Sequence, residues 1–195
     1  DLLFSPTLRT PIKTLDLPVA GKGYSAQTLP LIFEFVNLAA GGKASDQGAD
    51  TTGEATLRQL KACRKVVNRI SGSHASSLGL HPAIYFYSST GRYQPTAFLA
   101  TVAMIRSFEE RQYFKEFTKV RAAFEGFIAK HRMLVNQITV KYGSGSKGYA
   151  RLRQLQELIV DELLAGVSEV DLARGLVERP EFSFLQPAEI AQNQY

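Results

Sequence analysis

Residues 113–142, YFKEFTKVRAAFEGFIAKHRMLVNQITVKY, decide the fold class. Phe114, Phe117, Val120, Phe124, Phe127, His131, Leu134, Ile138 and Tyr142 recur at steps of three and four, the period that places side chains on one face of a helix. Read as one helix, the segment is about 45 Å long, at 1.5 Å per residue, and forms the spine of the fold. Its weakest part is Ile138-Thr139-Val140, whose β-branched side chains disfavour helix.

Toward the C-terminus, Gly143-Ser144-Gly145-Ser146 breaks the spine. A helix over about 147–164 follows, with Leu152, Leu155, Ile159 and Leu163 inward and Gly166 as its stop. Ser168, with Glu169 and Asp171 behind it, starts a shorter helix that Pro180 ends. Residues 180–195 read as a tail whose Phe182, Phe184 and Leu185 offer an anchor for a partner.

Toward the N-terminus, residues 96–108 are so apolar that they belong at the centre of the core. Before them lies a turn over 88–95, and before that Ile84-Tyr85-Phe86-Tyr87, which fits a buried strand or a buried helical turn; we read it as extended. Residues 54–70 form a helix capped by Thr51 or Thr52, with Leu57, Leu60, Val67 and Ile70 inward. The Gly-rich residues 41–53 form a surface loop. Ser25 caps a first helix carrying Leu29, Ile32, Phe33, Val36 and Leu38. Residues 1–24, punctuated by Pro6, Pro11 and Pro18, form an extended arm. The expectation is an all-α or nearly all-α fold: a single multi-helix domain over 25–179 around one long central helix, with an arm before it and a tail after it.

Composition fits this. The chain has 195 residues, 45% of them hydrophobic and 21% charged, which suits a globular core and excludes a disordered or collagen-like chain. One cysteine, Cys63, excludes a disulfide scaffold and points to a reducing, cytoplasmic setting. No apolar run approaches the ~18 residues that span a bilayer, so no membrane partner is expected. The chain opens on Asp1, which reads as a processed product or a piece of something longer.

The net charge of +5 is unevenly placed. Arg58, Lys61, Lys65 and Arg69 recur at spacings of three, four and four, a continuous basic stripe with Arg64 beside it. Such a row neutralises successive phosphates of a nucleic acid, although a solvated helix face has the same spacing. Gly143, Ser144, Gly145, Ser146, Lys147 and Gly148 stand directly before a helix, where free N–H groups attract anions. Lys147 and Arg151 in its first turns oppose the helix dipole unless an anion binds there; an ordinary interhelical turn is the alternative. The loop lacks the Gly-Lys-Ser/Thr ending of a nucleotide P-loop. Arg92, beside Tyr93 and Gln94, offers a recognition tip, or else pairs with a carboxylate while Tyr93 packs. His74, His81 and His131 have no ligand spacing, and no carboxylate has a matched base or nucleophile, so no metal, cofactor or catalytic residue is expected.

The segments LGLHPAIYFYS (78–88), TGRYQPTAFLA (90–100), FTKVRAAFEGFI (117–128), HRMLVNQI (131–138) and KYGSGSKGYARL (141–152), with the preceding LRTPIKTLDLPVAGKGYSAQTLPLIFEFVN (8–37), resemble the C-terminal helical half of certain prokaryotic proteins. Those proteins begin with a ParB-like domain of the type found in GmrSD modification-dependent restriction enzymes. The resemblance spans residues 5–166 and implies a helical accessory half, within a phage-defence protein, that supports a catalytic domain and helps to hold DNA. The Asp-Gly-Gln-Gln-Arg motif of the ParB-like domain and the His-Asn-His nuclease signature are absent, so any nuclease or nucleotide hydrolysis is expected in another domain. The expected function is a non-catalytic nucleic-acid-binding or regulatory module, with DNA and an N-terminal catalytic domain or partner protein as partners. The alternative is a protein-interaction or oligomerisation module, anchored by Leu8, Ile12, Leu15 and Leu17 in front and the tail aromatics behind.

Overall fold

A computed structural model describes residues 28–42, 50–72 and 75–188. The arm, Ser25, His74 and most of the 41–53 loop lie outside the described residues. Within them the chain is all-α, with eight helices: α1 Thr28–Ala39, α2 Glu54–Ser71, α3 Pro82–Tyr85, α4 Pro95–Glu110, α5 Phe114–Lys130, α6 Met133–Tyr142, α7 Ser146–Leu164 and α8 Glu169–Glu178. The only β-type pairing among the described residues is one antiparallel bridge, Tyr87 to Tyr93. None of these helices is long and apolar enough to cross a membrane.

The centre is α4. Its whole run from Thr96 to Ile105 is buried, and Phe108 closes it, because the sequence supplies apolar or small residues all round the helix. Pro95 starts it where a missing N–H does no harm. Helices α1, α2, α3, α6 and α7 all pack on it, and α7 reaches on to α5, α6 and α8. Aromatic rings run through the core in one chain. Phe35 meets Phe98 (5.5 Å), Phe98 meets Phe86 (5.4 Å), and Tyr85 bridges to Phe124 (6.1 Å), Phe117 and Phe108. Most are tilted or edge-on, the arrangements the ring quadrupole favours.

The expected long central helix is two helices. The chain turns at His131 and Arg132 because both side chains bond outside the helix. His131 Nδ1 accepts the N–H of Ala188 at 3.0 Å, and Arg132 donates to the carbonyls of Ala83 (2.8 Å) and Tyr87 (3.3 Å). His131 leaves helical geometry (φ −102, ψ 34), and the N–H of Leu134 bonds only three residues back, to His131 O. The two pieces measure about 25 and 15 Å.

Four further expectations change. Of the Ile84 to Tyr87 segment, Ile84 and Tyr85 complete the single helical turn Pro82–Tyr85, capped by His81 Nδ1 accepting the Ala83 N–H (3.1 Å), and only Tyr87 pairs as a strand would. The inward residues of α2 are Cys63, Val66 and Ile70, while Leu57 and Leu60 are more than half exposed. At 100° per residue those leucines lie about 90–150° round the helix from the buried line. Gly53 occupies the N-cap position of α2 in a left-handed conformation (φ 75), while Thr52 Oγ1, one residue earlier, accepts the Glu54 N–H at 3.4 Å and the Asp50 carboxylate accepts the Thr56 N–H at 2.7 Å. The tail does not wait for a partner either. Phe182 and Leu185 are 2% exposed, and Phe184 stands edge-on to Tyr142 at 5.7 Å. Gln137 clamps the next residue, accepting from the N–H of Gln186 (2.7 Å) and donating to its carbonyl (3.2 Å).

Gly148 is required by packing. A Cβ on Gly148, in the first turn of α7, would lie 1.9 Å from the carbonyl oxygen of Gly143, so the α6–α7 turn closes only over a bare Cα. Gly126, exposed in α5, has nothing within 4 Å of its missing Cβ. Gly→Ala inside a helix normally stabilises by about 0.5–1 kcal/mol. Gly126→Ala is expected to do so, whereas Gly148→Ala is expected to cost about 1–3 kcal/mol through overpacking. Urea unfolding of the two variants checks this, and a stabilised Gly148→Ala would contradict the close approach.

Candidate nucleic-acid interface

The exposed side of α2 carries the basic stripe because apolar residues at 63, 66 and 70 turn the opposite side inward. Lys61, Arg64, Lys65, Asn68 and Arg69 on the helix, with Ser76 from the segment beyond it, line an open groove of about 290 Å³. Arg58 continues the row one turn earlier and is exposed.

The structure sorts these cations by what they already touch. Arg69 is occupied: it donates to the carbonyl of Ser76 at 2.6 Å, lies 4.8 Å from the Phe114 ring centroid and is 3.8 Å from Glu109. It fastens α2 to the start of α5 and to the segment after α2. Lys65, with a side chain 63% exposed, meets Glu109 Oε1 at 2.9 Å. Arg58, Lys61 and Arg64 have no ion pair among the described residues and stand in solvent.

Glu109 comes from the far end of α4. Partial burial pushes its carboxyl up, but the hydrogen bond and charge of Lys65, with the charges of Arg106 and Arg69, outweigh burial and hold it below the ordinary value. It is therefore ionised at neutral pH. Its other oxygen, Oε2, accepts from Arg106 at 3.0 Å, and Arg106 also reaches Glu110 at 3.1 Å. Sequence reasoning missed Glu109 as the ion-pair partner of a groove residue, Lys65. The local signal was Arg106 three residues before it; the contact with α2 is tertiary.

The Gly143 to Gly148 loop forms a separate place. Gly145 stands at the N-cap of α7 with no side-chain cap, and the first turn carries no acid. The carbonyl of Ser144 accepts from Thr96 Oγ1 at 3.1 Å, which ties the loop to the first turn of α4. Ser146 opens the helix and Lys147 is exposed. Arg151 places its guanidinium 5.1 Å from the Tyr142 ring and 5.8 Å from that of Phe182. Lys141 covers Phe184 at 3.9 Å. These stacked cations hold the tail against the α6–α7 corner. Thr96 and Glu109 are thirteen residues apart on α4, so the loop and the stripe sit about 20 Å apart along that helix and do not form one site.

Arg92 projects from a tight turn. The Ser88 N–H bonds Arg92 O at 2.9 Å, Ser88 Oγ accepts the Arg92 N–H at 3.1 Å, and Gly91 supplies a left-handed residue (φ 73). Arg92 is exposed with no ion pair among the described residues. Its expected companions are engaged elsewhere. Tyr93 packs on Tyr87 (5.6 Å) and Phe98 (6.4 Å), and burial, with Tyr87 nearby, raises its phenol far above the ordinary value. Gln94 donates to Asn136 at 2.8 Å. Stacking by Tyr93 is thereby removed from the recognition tip.

Among the described residues, no group of three or more His, Cys, Asp or Glu is placed to hold a metal ion. Cys63 is buried, and desolvation raises its thiol pKa, which suits packing rather than reactivity. The cavity at the α5–α6 junction, between His131, Arg132, Gln156 and apolar neighbours, is only about 30 Å³. No protein-family model, curated protein or solved structure matches the chain.

The division of α2 into structural and free cations has a stability signature. Arg69→Ala removes a charged hydrogen bond and a ring contact and is expected to cost about 1–3 kcal/mol. Arg58→Ala is expected to stay within about 0.5 kcal/mol of the parent, as exposed substitutions do. Chemical denaturation of both variants measures the difference; equal stabilities would contradict the division.

Proposed function

We propose that this chain is a non-catalytic, nucleic-acid-binding or regulatory helical module of a larger prokaryotic DNA-targeting protein in a cytoplasmic setting, and that the α2 groove holds the phosphate backbone. The observation that carries this reading is the row Arg58, Lys61 and Arg64, three exposed cations without carboxylate partners among the described residues, beside an open groove. A helix face kept only for solubility gains from alternating charge, whereas successive phosphates are met by cations of one sign at helical spacing. The resemblance of residues 5–166 to the helical half of ParB-like-domain proteins supports the same direction. Lys147 and the Gly143 to Ser146 backbone form a second, weaker phosphate contact on this reading. Arg92 forms a third, through its charge alone.

A second reading is favoured by one observation. Leu29 and Phe33 on α1, and Leu57 and Leu60 on α2, are each more than half exposed, on two helices that pack together. Each pair has i, i+3 or i, i+4 spacing and so shares a face. A protein partner or a second copy would cover these side chains.

The test is fluorescence anisotropy with a labelled 20-base-pair duplex across a salt series. Three to four cations predict that log K falls with log salt at a slope of about −3 to −4, with little dependence on base sequence. Lys61→Ala with Arg64→Ala is expected to weaken binding at least about tenfold and to flatten the slope by about two. Absence of binding, with light scattering showing a dimer that Leu57→Ser with Leu60→Ser dissolves, would reject the nucleic-acid reading in favour of the second.

A further inference from the structure

We infer that Glu109 is the resident counter-anion of the α2 groove, and that an incoming phosphate takes Lys65 from it, so that this one carboxylate limits affinity and sets its salt dependence. The inference rests on the reading of the groove as a phosphate site and adds its regulation. The geometry points to an exchange. Glu109 is held from its own helix by Arg106, which bonds Oε2 at 3.0 Å, while Oε1 is turned toward Lys65 at 2.9 Å and Arg69 at 3.8 Å. Lys65 can therefore leave without stranding the carboxylate. Arg69 stays, since Ser76 and Phe114 hold it independently.

Lys65 is the most exposed member of the cluster: its side chain is 63% exposed against 21% for Glu109, and Glu109 is its one ion-pair partner among the described residues. Exposed pairs of this kind bind weakly and are screened by salt. A phosphate at the groove offers several oxygens to Lys61, Arg64 and Lys65 together, which a single carboxylate oxygen does not match. The same carboxylate repels any anion that engages the groove alone. A single phosphate ion is disfavoured, whereas a duplex that also reaches Arg58, outside the groove lining, overcomes the repulsion.

Glu109→Gln in the full chain tests this with the labelled 20-base-pair duplex. It is expected to tighten binding roughly three- to tenfold at low salt and to steepen the salt slope by about 0.9, the contribution of one released cation. Lys65→Ala added to Glu109→Gln is expected to return the slope to the parent value, which a merely structural role for Glu109 would not do. A readout free of variants is the carboxyl carbon of Glu109 followed by NMR in the parent chain. On saturation with the duplex its pKa is expected to rise, because the cation bonded to Oε1 has been withdrawn. If the parent binds through Lys61 and Arg64 but Glu109→Gln binds no more tightly, with an unchanged slope or an unmoved Glu109 titration, the exchange is overturned and the groove reading survives. If the parent does not bind the duplex, both fall together.

Discussion

The near-complete burial of α4 is the constraint on which the rest of the structure depends. A helix apolar all round has no solvent face, so the chain must cover it from every side, and α1, α2, α3, α6 and α7 do so. Beyond Pro95 at its start, α4 emerges in its last turn, and there Arg106, Glu109 and Glu110 change its character from core to charge. Because α2 packs against α4 by Cys63, Val66 and Ile70, its opposite side is turned outward and its flank is brought to Glu109. The cationic groove is thus a consequence of how the core closes.

Much of this was legible in the amino-acid sequence. The period of three and four gave the helices over 54–70, 96–108, 147–164 and 168–177 close to where they stand, and the unbroken apolarity of 96–108 marked the central element. The break at His131 and Arg132 was not legible, because those residues fit helical spacing. What turns the chain is bonding to Ala188, Ala83 and Tyr87, partners that only the tertiary fold brings near. Leu57 and Leu60 misled for a related reason. Periodicity reports which residues share a face, but not which of two partly apolar faces the core will take.

The candidate site was legible in outline only. Spacing located the stripe of Arg58, Lys61, Lys65 and Arg69, yet it could not separate a cation that holds the fold from one left in solvent. Arg69, Arg151, Arg121 and Arg132 all do structural work: Arg69 and Arg151 against rings, Arg121 and Arg132 on backbone carbonyls of the 78–87 region. The carboxylate that tunes the groove lies on another helix, 44 positions after Lys65 and 40 after Arg69, beyond any local pattern. The tail aromatics show the same limit in reverse. Phe182 and Leu185 look like anchors for a partner and are anchors for the chain's own core.

The central claim is that the free cations of α2, and not the helix N-terminus at the other end of α4, form the main contact with a phosphate backbone. Mapping amide and side-chain shifts by NMR while the isotope-labelled chain is titrated with a short duplex tests it most directly. The largest changes are expected on Arg58, Lys61, Arg64 and Lys65 and on their neighbour Glu109, with smaller changes at Ser146 and Lys147. Changes confined to the α7 end, or none at any of these residues at saturating duplex, would contradict it.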